Sequence, residues 1–501
     1  MKLNNKVAIV GAGVGGLATA LRLAHQGFQV EVFEKGDGPG GRCGRIEDRG
    51  FVFDTGPTLL LMPEVLEETL SVVGKKLSDY LTLIKCDPNY QIHFRDGSEV
   101  TFTSDLVKMG QELERIEPGS FQRYLAFMAQ GRLQYKTSLD RFVGRNFDSV
   151  LQFLTPKNLS KVFAVRAHRN MYSEISRFFS DDRLRASLTF QTMYLGISPF
   201  ESPAVYGLLP YTELGDGIWF PKGGMYALPL ALEKVAKELG VVFHYGQSVE
   251  QIEIKNGIAR GLRLAGGETV EAGSVVCNAD LPWAYRNLIS PKESALKNAE
   301  ALKYTSSAFM MYWGMKKTYP TLKHHNVILG GDYKGSFGDI FDRLIVPKDP
   351  SFYINAHSRT DPDLAPAGKD SLYVLVPVPN RKAKIDWKEE GPALRQKVLT
   401  RLSELGLNDI EENIEVEHQL NPNDWETQLN LERGSAFGLS HHFFQVGPFR
   451  PTNQDPKVRN LFFVGASTQP GTGLPMVMLS ARLVTERVLS HFERGAAARA
   501  A

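Results

Sequence analysis

An α/β protein built on a Rossmann-type dinucleotide-binding domain is the fold class this sequence predicts, and three stretches predict it. In "VAIVGAGVGGLATALRLAHQ", an apolar run at 7–10 meets Gly11, after which apolar residues recur with helical spacing at Leu17, Ala20, Leu21 and Ala24. That order is strand, glycine turn, helix. A second strand, "QVEVFEK", ends on Glu34 and Lys35. The third stretch, "NLFFVGASTQPGTGLPMVMLSARLVTERVL" at 460–489, reads as a buried strand, a glycine and proline turn, and a closing helix.

Each element has a physical reason. Gly11 permits the tight turn, Gly13 lets a pyrophosphate approach the backbone, and Gly16 lets the helix pack closely. The phosphates would lie at the helix amino end, where unpaired N–H groups and the helix dipole favour an anion. Glu34 can accept both hydroxyls of an adenosine ribose and would repel a 2′-phosphate, which favours FAD or NAD over NADP. "GDGPGGRCGR" and "FDTGPTLLL" follow at once. Gly41 and Arg42, with Gly56, Pro57 and Thr58, can wrap a second stretch of pyrophosphate and reach toward a flavin, so FAD is the cofactor predicted. At the far end, Gly465 and the helix start Gly473, Leu474, Pro475, Met476 and Val477 suit the electron-rich pyrimidine edge of a reduced flavin. Between these ends, 240–280 is a run of short strands with hairpin turns such as "KNG", in which Val249 is placed against the adenine.

Composition excludes several function classes. The 58 basic and 56 acidic side chains among 501 residues nearly cancel, so no global field points to nucleic acid. The length implies about two domains. Cys43, Cys86 and Cys277 are far apart, which argues against a disulfide framework and for a reducing, cytoplasmic setting. "MKLNNK" leads straight into a strand with no room for a signal segment, and no uncharged apolar stretch reaches the ~18 residues of a spanning helix. Membrane contact is therefore expected to be peripheral.

The motifs together resemble the carotenoid desaturase family, the bacterial and fungal phytoene desaturases, within the amine oxidase-like flavoproteins. The resemblance runs through "GAGVGGLATALRL", "DTGPT", "SPAVYGLLPYTELGDGIWFPKGGM", "VVCNAD", "LAPAGKDSLYVLVPVPN", "GSAFGL" and "NLFFVGASTQPGTGLPMVM". It implies a discontinuous FAD-binding domain from 1–75, 225–300 and 450–492, like that of amine oxidases and guanine-nucleotide dissociation inhibitors. A mixed α+β substrate domain from 76–224 and 301–449 would follow, with a helical membrane-facing part; 493–501 reads as a disordered tail. It also implies dehydrogenation of a long isoprenoid such as phytoene, with hydride passing to flavin N5. No second glycine fingerprint is present, so a quinone or oxygen is expected to reoxidise the flavin. Hydroxycarotenoid desaturases, carotenoid ketolases or isomerases, retinol saturase-like reductases and flavin amine oxidases remain open within enzymes. A non-enzymatic prenyl-binding protein of the dissociation-inhibitor type remains open outside them.

Few side chains stand out as acids or bases. Asp148 falls in the region where the resemblance implies a catalytic carboxylate, but the arginine expected nearby is not clearly matched and a solvated helix N-cap is the favoured reading; Glu213 and Asp216 are weaker candidates. The pairs His324–His325 and His441–His442 lack a third ligand at sensible spacing, so no metal is expected. The stretch 139–179 carries a net charge of +4, against +2 for the whole chain. Apolar residues at Phe147, Val150, Leu151 and Leu154, then Leu159, Val162, Phe163 and Val165, build helical faces beside Lys157, Lys161 and Arg166. Those faces are expected to dock on an anionic membrane surface and frame a tunnel mouth. Oligomeric state is not legible.

Overall fold

A computed structural model describes residues 5–147, 149–295 and 301–500. Its centre is a five-stranded, wholly parallel sheet in the order Leu461–Phe463, Ser274–Cys277, Lys6–Val10, Gln29–Phe33, Val242–His244. "VAIV", "VVC" and "LFF" are continuous apolar runs rather than alternating ones, because both faces of the sheet are covered. Val7 and Ile9 pack with helix residues such as Leu17, Leu232 and Val484, and Ala8 and Val10 pack with Ile252, Leu262 and Leu264 of a small antiparallel sheet and Leu281 and Ala284 beyond it. Strands from the two ends of the chain thus share one sheet.

Helix Val14–His25 packs against both Ala227–Glu238 and the long final helix Leu474–Ala500. The final helix continues to Ala500, whereas disorder is expected from 493; alanine and arginine dominate "ERGAAARA", and both are strong helix formers.

Beside this sheet, Val249–Lys255, Ile258–Leu264 and Thr269–Glu271 form an antiparallel sheet. Its first hairpin turns on Asn256 and Gly257, both at positive φ, the two-residue geometry that suits right-handed strand twist.

A seven-stranded mixed sheet makes the second layer. Its central strand, Ser307–Met315, shows how one sequence serves two faces. Phe309, Met311 and Trp313 join a core with Leu394, Val398 and Leu402 of helix Trp387–Glu404, whereas Ala308, Met310 and Tyr312 pack with Phe51 and Phe53. Ala308 and Met310 also reach the large cavity between the layers. Helices Ser120–Ser138, Val150–Phe153, Pro156–Ala164 and Leu208–Gly215 carry residues to the cavity's other side. No described helix is long and apolar enough to cross a membrane.

Candidate active site

The cavity, of about 630 Å³, is lined by both ends of the chain. Gly11, Gly13 and Gly15 open the first helix on one side, and Gly473 to Val477 open the last helix on the other. The two helix starts touch: a Cβ on Gly15 would lie 3.0 Å from Val477 Cγ1. Gly13 caps the first helix without a side-chain acceptor, and no acid sits in its first turn. The amides that a capping side chain would occupy are thus left for an anion.

"GPGGR" folds back onto this turn. Gly13 bridges Gly40, and the Gly40 amide donates to the Ala12 carbonyl at 2.9 Å. The Glu34 carboxylate accepts from the Ala12 amide and the Gly36 amide, both at 2.8 Å, which places it at the edge of the glycine turn. Lys35 donates to the Gln428 carbonyl at 2.6 Å, and burial lowers its pKa. Arg42 donates to the Ala436 carbonyl at 3.2 Å; burial lowers its pKa, opposed by the charge of Asp280. Tyr373 OH donates to the Gly56 carbonyl at 2.8 Å and Tyr353 OH to Thr58 Oγ1 at 3.0 Å, pinning the Gly56–Thr58 loop from the second sheet.

Every residue predicted to hold the cofactor lines this cavity except Gly16, which packs beneath it; Val249 is among the lining residues. A Cβ on Gly16 would stand 2.2 Å from the Gly11 carbonyl oxygen, so its role is to let helix and turn meet. A long, thin, doubly anionic cofactor with a flat ring fits this donor set: two helix amino ends, Arg42, an acid for a ribose, and apolar walls.

Asp280, in "VVCNAD", is a residue the motif reading left without a role. It is buried, and desolvation raises its pKa while Ser467, Arg42, the Glu432 amide and Arg450 oppose that rise. Asn278 from the same stretch lies under the glycine turn, 3.6 Å from where a Gly11 Cβ would be. His441 lines the cavity with Nε2 accepting from the Thr472 amide at 3.2 Å, and burial holds it neutral. A strand-end polar pair next to an alanine is the only trace of these roles in the sequence.

Of the candidate acids, Asp148 lies outside the described residues. Asp216 is exposed at the end of helix Leu208–Gly215. Glu213 is fully buried behind the cavity wall, where its Oε2 accepts from Gln191 Nε2 at 3.1 Å and Tyr90 and Tyr194 hydroxyls adjoin it. Desolvation raises its pKa to about 8. A carboxyl raised in the folded state binds a proton that the unfolded chain has lost, so stability falls as pH climbs from the ordinary glutamate range to about 8. Glu213→Gln removes that penalty. It is expected to unfold several degrees above the wild type at pH 8 and to match it near pH 4.5; scanning calorimetry at the two pH values measures the difference.

The basic stretch splits in two. Arg166, expected to face lipid, instead lies 3.3 Å from the Glu174 carboxylate, with Arg169 at 3.6 Å and Arg177 at 2.7 Å on the same group. Phe147 and Val165 are buried. Leu151 and Phe163 are 79% and 64% exposed, and Leu154 and Leu159 are exposed as well. A segment with no charge signature joins them: Phe444 is 81% exposed and stacks edge-on with Phe449, which lines the cavity together with Phe153 and Val162.

The model of the family "Flavin containing amine oxidoreductase" matches residues 14–489. The chain is 63% identical over 486 residues to a zeta-carotene-forming phytoene desaturase of Myxococcus xanthus, covering 97% of this chain and 94% of that one. It is 35% identical over 498 residues to an all-trans-zeta-carotene desaturase of the same organism, covering 98% and 94%. Among solved structures, an oxidoreductase from Methanosarcina mazei superposes with a TM-score of 0.64 at 20% identity, covering 96% of this chain and 100% of that one. The chain belongs to the phytoene desaturase family of flavin-containing amine oxidoreductases, and it is an FAD-dependent carotenoid desaturase.

Proposed function

We propose that this enzyme takes phytoene and stops at ζ-carotene. The observation that carries the reading is the identity of 63% with a desaturase named for forming that product, against 35% with one named for consuming it. Gly11, Gly13 and the first helix would hold the FAD pyrophosphate, Glu34 the ribose, and Val249 the adenine. Arg42 with Gly41 and Gly56–Thr58 would reach toward the ring, with Gly465 and Gly473–Val477 against its pyrimidine edge. FAD supplies the two-electron acceptor that no side chain can provide. The chain's own part is to hold an allylic carbon in register and keep water out. The FAD domain would comprise 1–75, 225–300 and 450–492, and the substrate domain 76–224 and 301–449. A quinone or oxygen would reoxidise the flavin. The test is expression in cells that accumulate phytoene, followed by absorption spectra of the extracted pigments, since each new double bond lengthens the chromophore. ζ-Carotene is expected; persistent phytoene, or products absorbing at longer wavelength, would sink the reading.

The enzyme would work peripherally on a cytoplasmic membrane surface, with Leu151, Phe163 and Phe444 dipping into lipid around the cavity mouth and Lys157 and Lys161 on the headgroups. Burying each such side chain contributes about 1.5–3 kcal/mol. Leu151→Asp with Phe444→Asp is therefore expected to weaken sedimentation with anionic liposomes by more than about tenfold. Unchanged sedimentation would place the mouth elsewhere.

A further inference from the structure

Outside the cavity lining, the fold gathers Cys86, His324 and His325 into one buried cluster in which a ligand atom from each lies within 4.8 Å of the others. Cys86 follows the strand Leu83–Lys85, and His325 opens the strand His325–Ile328, so sequence spacing does not reveal the trio. Nδ1 of His324 is hydrogen-bonded with Thr360 Oγ1, and Nδ1 of His325 with the Tyr353 hydroxyl, with Asn355 Nδ2 at 3.3 Å from the latter nitrogen. The two Nε2 atoms are shut off from solvent and have no hydrogen-bond partner. A buried, unpaired ring nitrogen is unfavourable, and here there are two, on histidines that cluster with a thiol. Tyr353 OH donates to Thr58 Oγ1 and so accepts from His325 Nδ1–H. The same tautomer at His324, with Nδ1–H donating to Thr360 Oγ1, fixes both rings and puts the lone pairs on Nε2, as the outer partners of metal-binding histidines do.

We propose that Cys86, His324 and His325 bind one thiophilic d10 cation, Cu(I) in preference to Zn(II). A thiolate with two neutral imidazoles around Cu(I) sums to zero charge, the state least opposed by removal from water, whereas Zn(II) leaves a positive charge on a donor set without a carboxylate. On binding, the Sγ–H bond breaks, its proton leaves to solvent, and an Sγ–metal bond forms; no electrons are transferred. The ion would join the segment at Cys86 to the strand His325–Ile328. Through His325, Tyr353 and Thr58 it would also brace the cavity wall that Tyr353 and Thr58 line.

The test uses the full chain with bound flavin, purified from cells grown with added copper or zinc, desalted, and analysed for metals by mass spectrometry. About one copper per chain is expected in the wild type, and less than about a tenth of that in Cys86→Ala, whose small apolar side chain suits the site; flavin content in both checks folding. An anaerobic Cu(I) titration against a chromophoric chelator should raise the wild-type unfolding temperature by mass action and leave Cys86→Ala unmoved. A flavin-loaded wild type that neither carries nor takes up either metal overturns the site, as does equal metal in both proteins. Zinc alone at one equivalent, lost in Cys86→Ala, upholds the site and overturns the preference for copper.

Discussion

Gly16→Ala is expected to yield a protein purified with less than about a tenth of the wild-type flavin. The added Cβ would stand 2.2 Å from the Gly11 carbonyl oxygen and 3.4 Å from the Asn278 side chain. Gly11 cannot easily move aside, because its φ of +93° belongs to a turn only glycine adopts without strain, and its amide already donates to the Phe33 carbonyl at 2.8 Å. The turn must open, and the helix amides proposed to hold the pyrophosphate move with it. Displacement worth 1.4 kcal/mol is tenfold in affinity, and a backbone collision exceeds that. The flavin-to-protein absorbance ratio and the flavin released by heating measure the effect. Gly266→Ala serves as the control, since a Cβ there meets nothing within 4 Å. Wild-type flavin in Gly16→Ala would mean that this turn is not where the cofactor sits.

Such a residue is legible because its reason is local. Strand, turn, helix and acid follow one another within 30 residues, so Gly11, Gly13, Gly16 and Glu34 could be placed from spacing alone. The last helix start at Gly473–Val477 was legible for the same reason, as was the alternation of strands that builds the hairpins. Arg166 shows where local reading fails. In sequence it is one more base in a basic stretch; in the fold its guanidinium turns to Glu174, a carboxylate eight residues on that collects three arginines. Phe444 fails in the opposite direction, since nothing about "HHFFQ" predicts that its ring stands exposed against Phe449, whose turn packs on Val150–Phe153. Cys86, His324 and His325 looked like a lone thiol and an ordinary strand pair until the parallel pairing of His325–Ile328 with Tyr90–His93 brought the two segments together. In each case the deciding contact spans many residues, and hydrophobic periodicity does not encode it.

Arg450 is the largest instance, and Arg450→Met is expected to lose soluble, flavin-bearing protein altogether. The side chain is almost wholly buried, and its guanidinium donates to the carbonyls of Leu439, Ser440, Gln445, Ala466 and Thr468. It thereby clamps the 439–445 segment, which carries His441, to the turn between Gly465 and the last helix. Burial pushes its pKa down to about 10, so it stays charged at neutral pH, and those carbonyl dipoles are what its charge rests on. Methionine matches much of the volume and leaves the carbonyls facing an apolar group. Breaking a buried charged network in this way costs about 3–5 kcal/mol, a large share of the roughly 5–15 kcal/mol that keeps a domain folded. Arg263→Met provides the contrast: the arginine is 40% exposed and its carboxylate partners Glu250 and Glu253 are 48% and 37% exposed, so a change within about 0.5 kcal/mol is expected. Soluble yield, flavin content and unfolding temperature compare the two. Arg450→Lys should fall near Arg450→Met, because a single ammonium cannot reach five carbonyls spread over two loops. A wild-type unfolding temperature in Arg450→Met would show that the two loops hold together without the clamp.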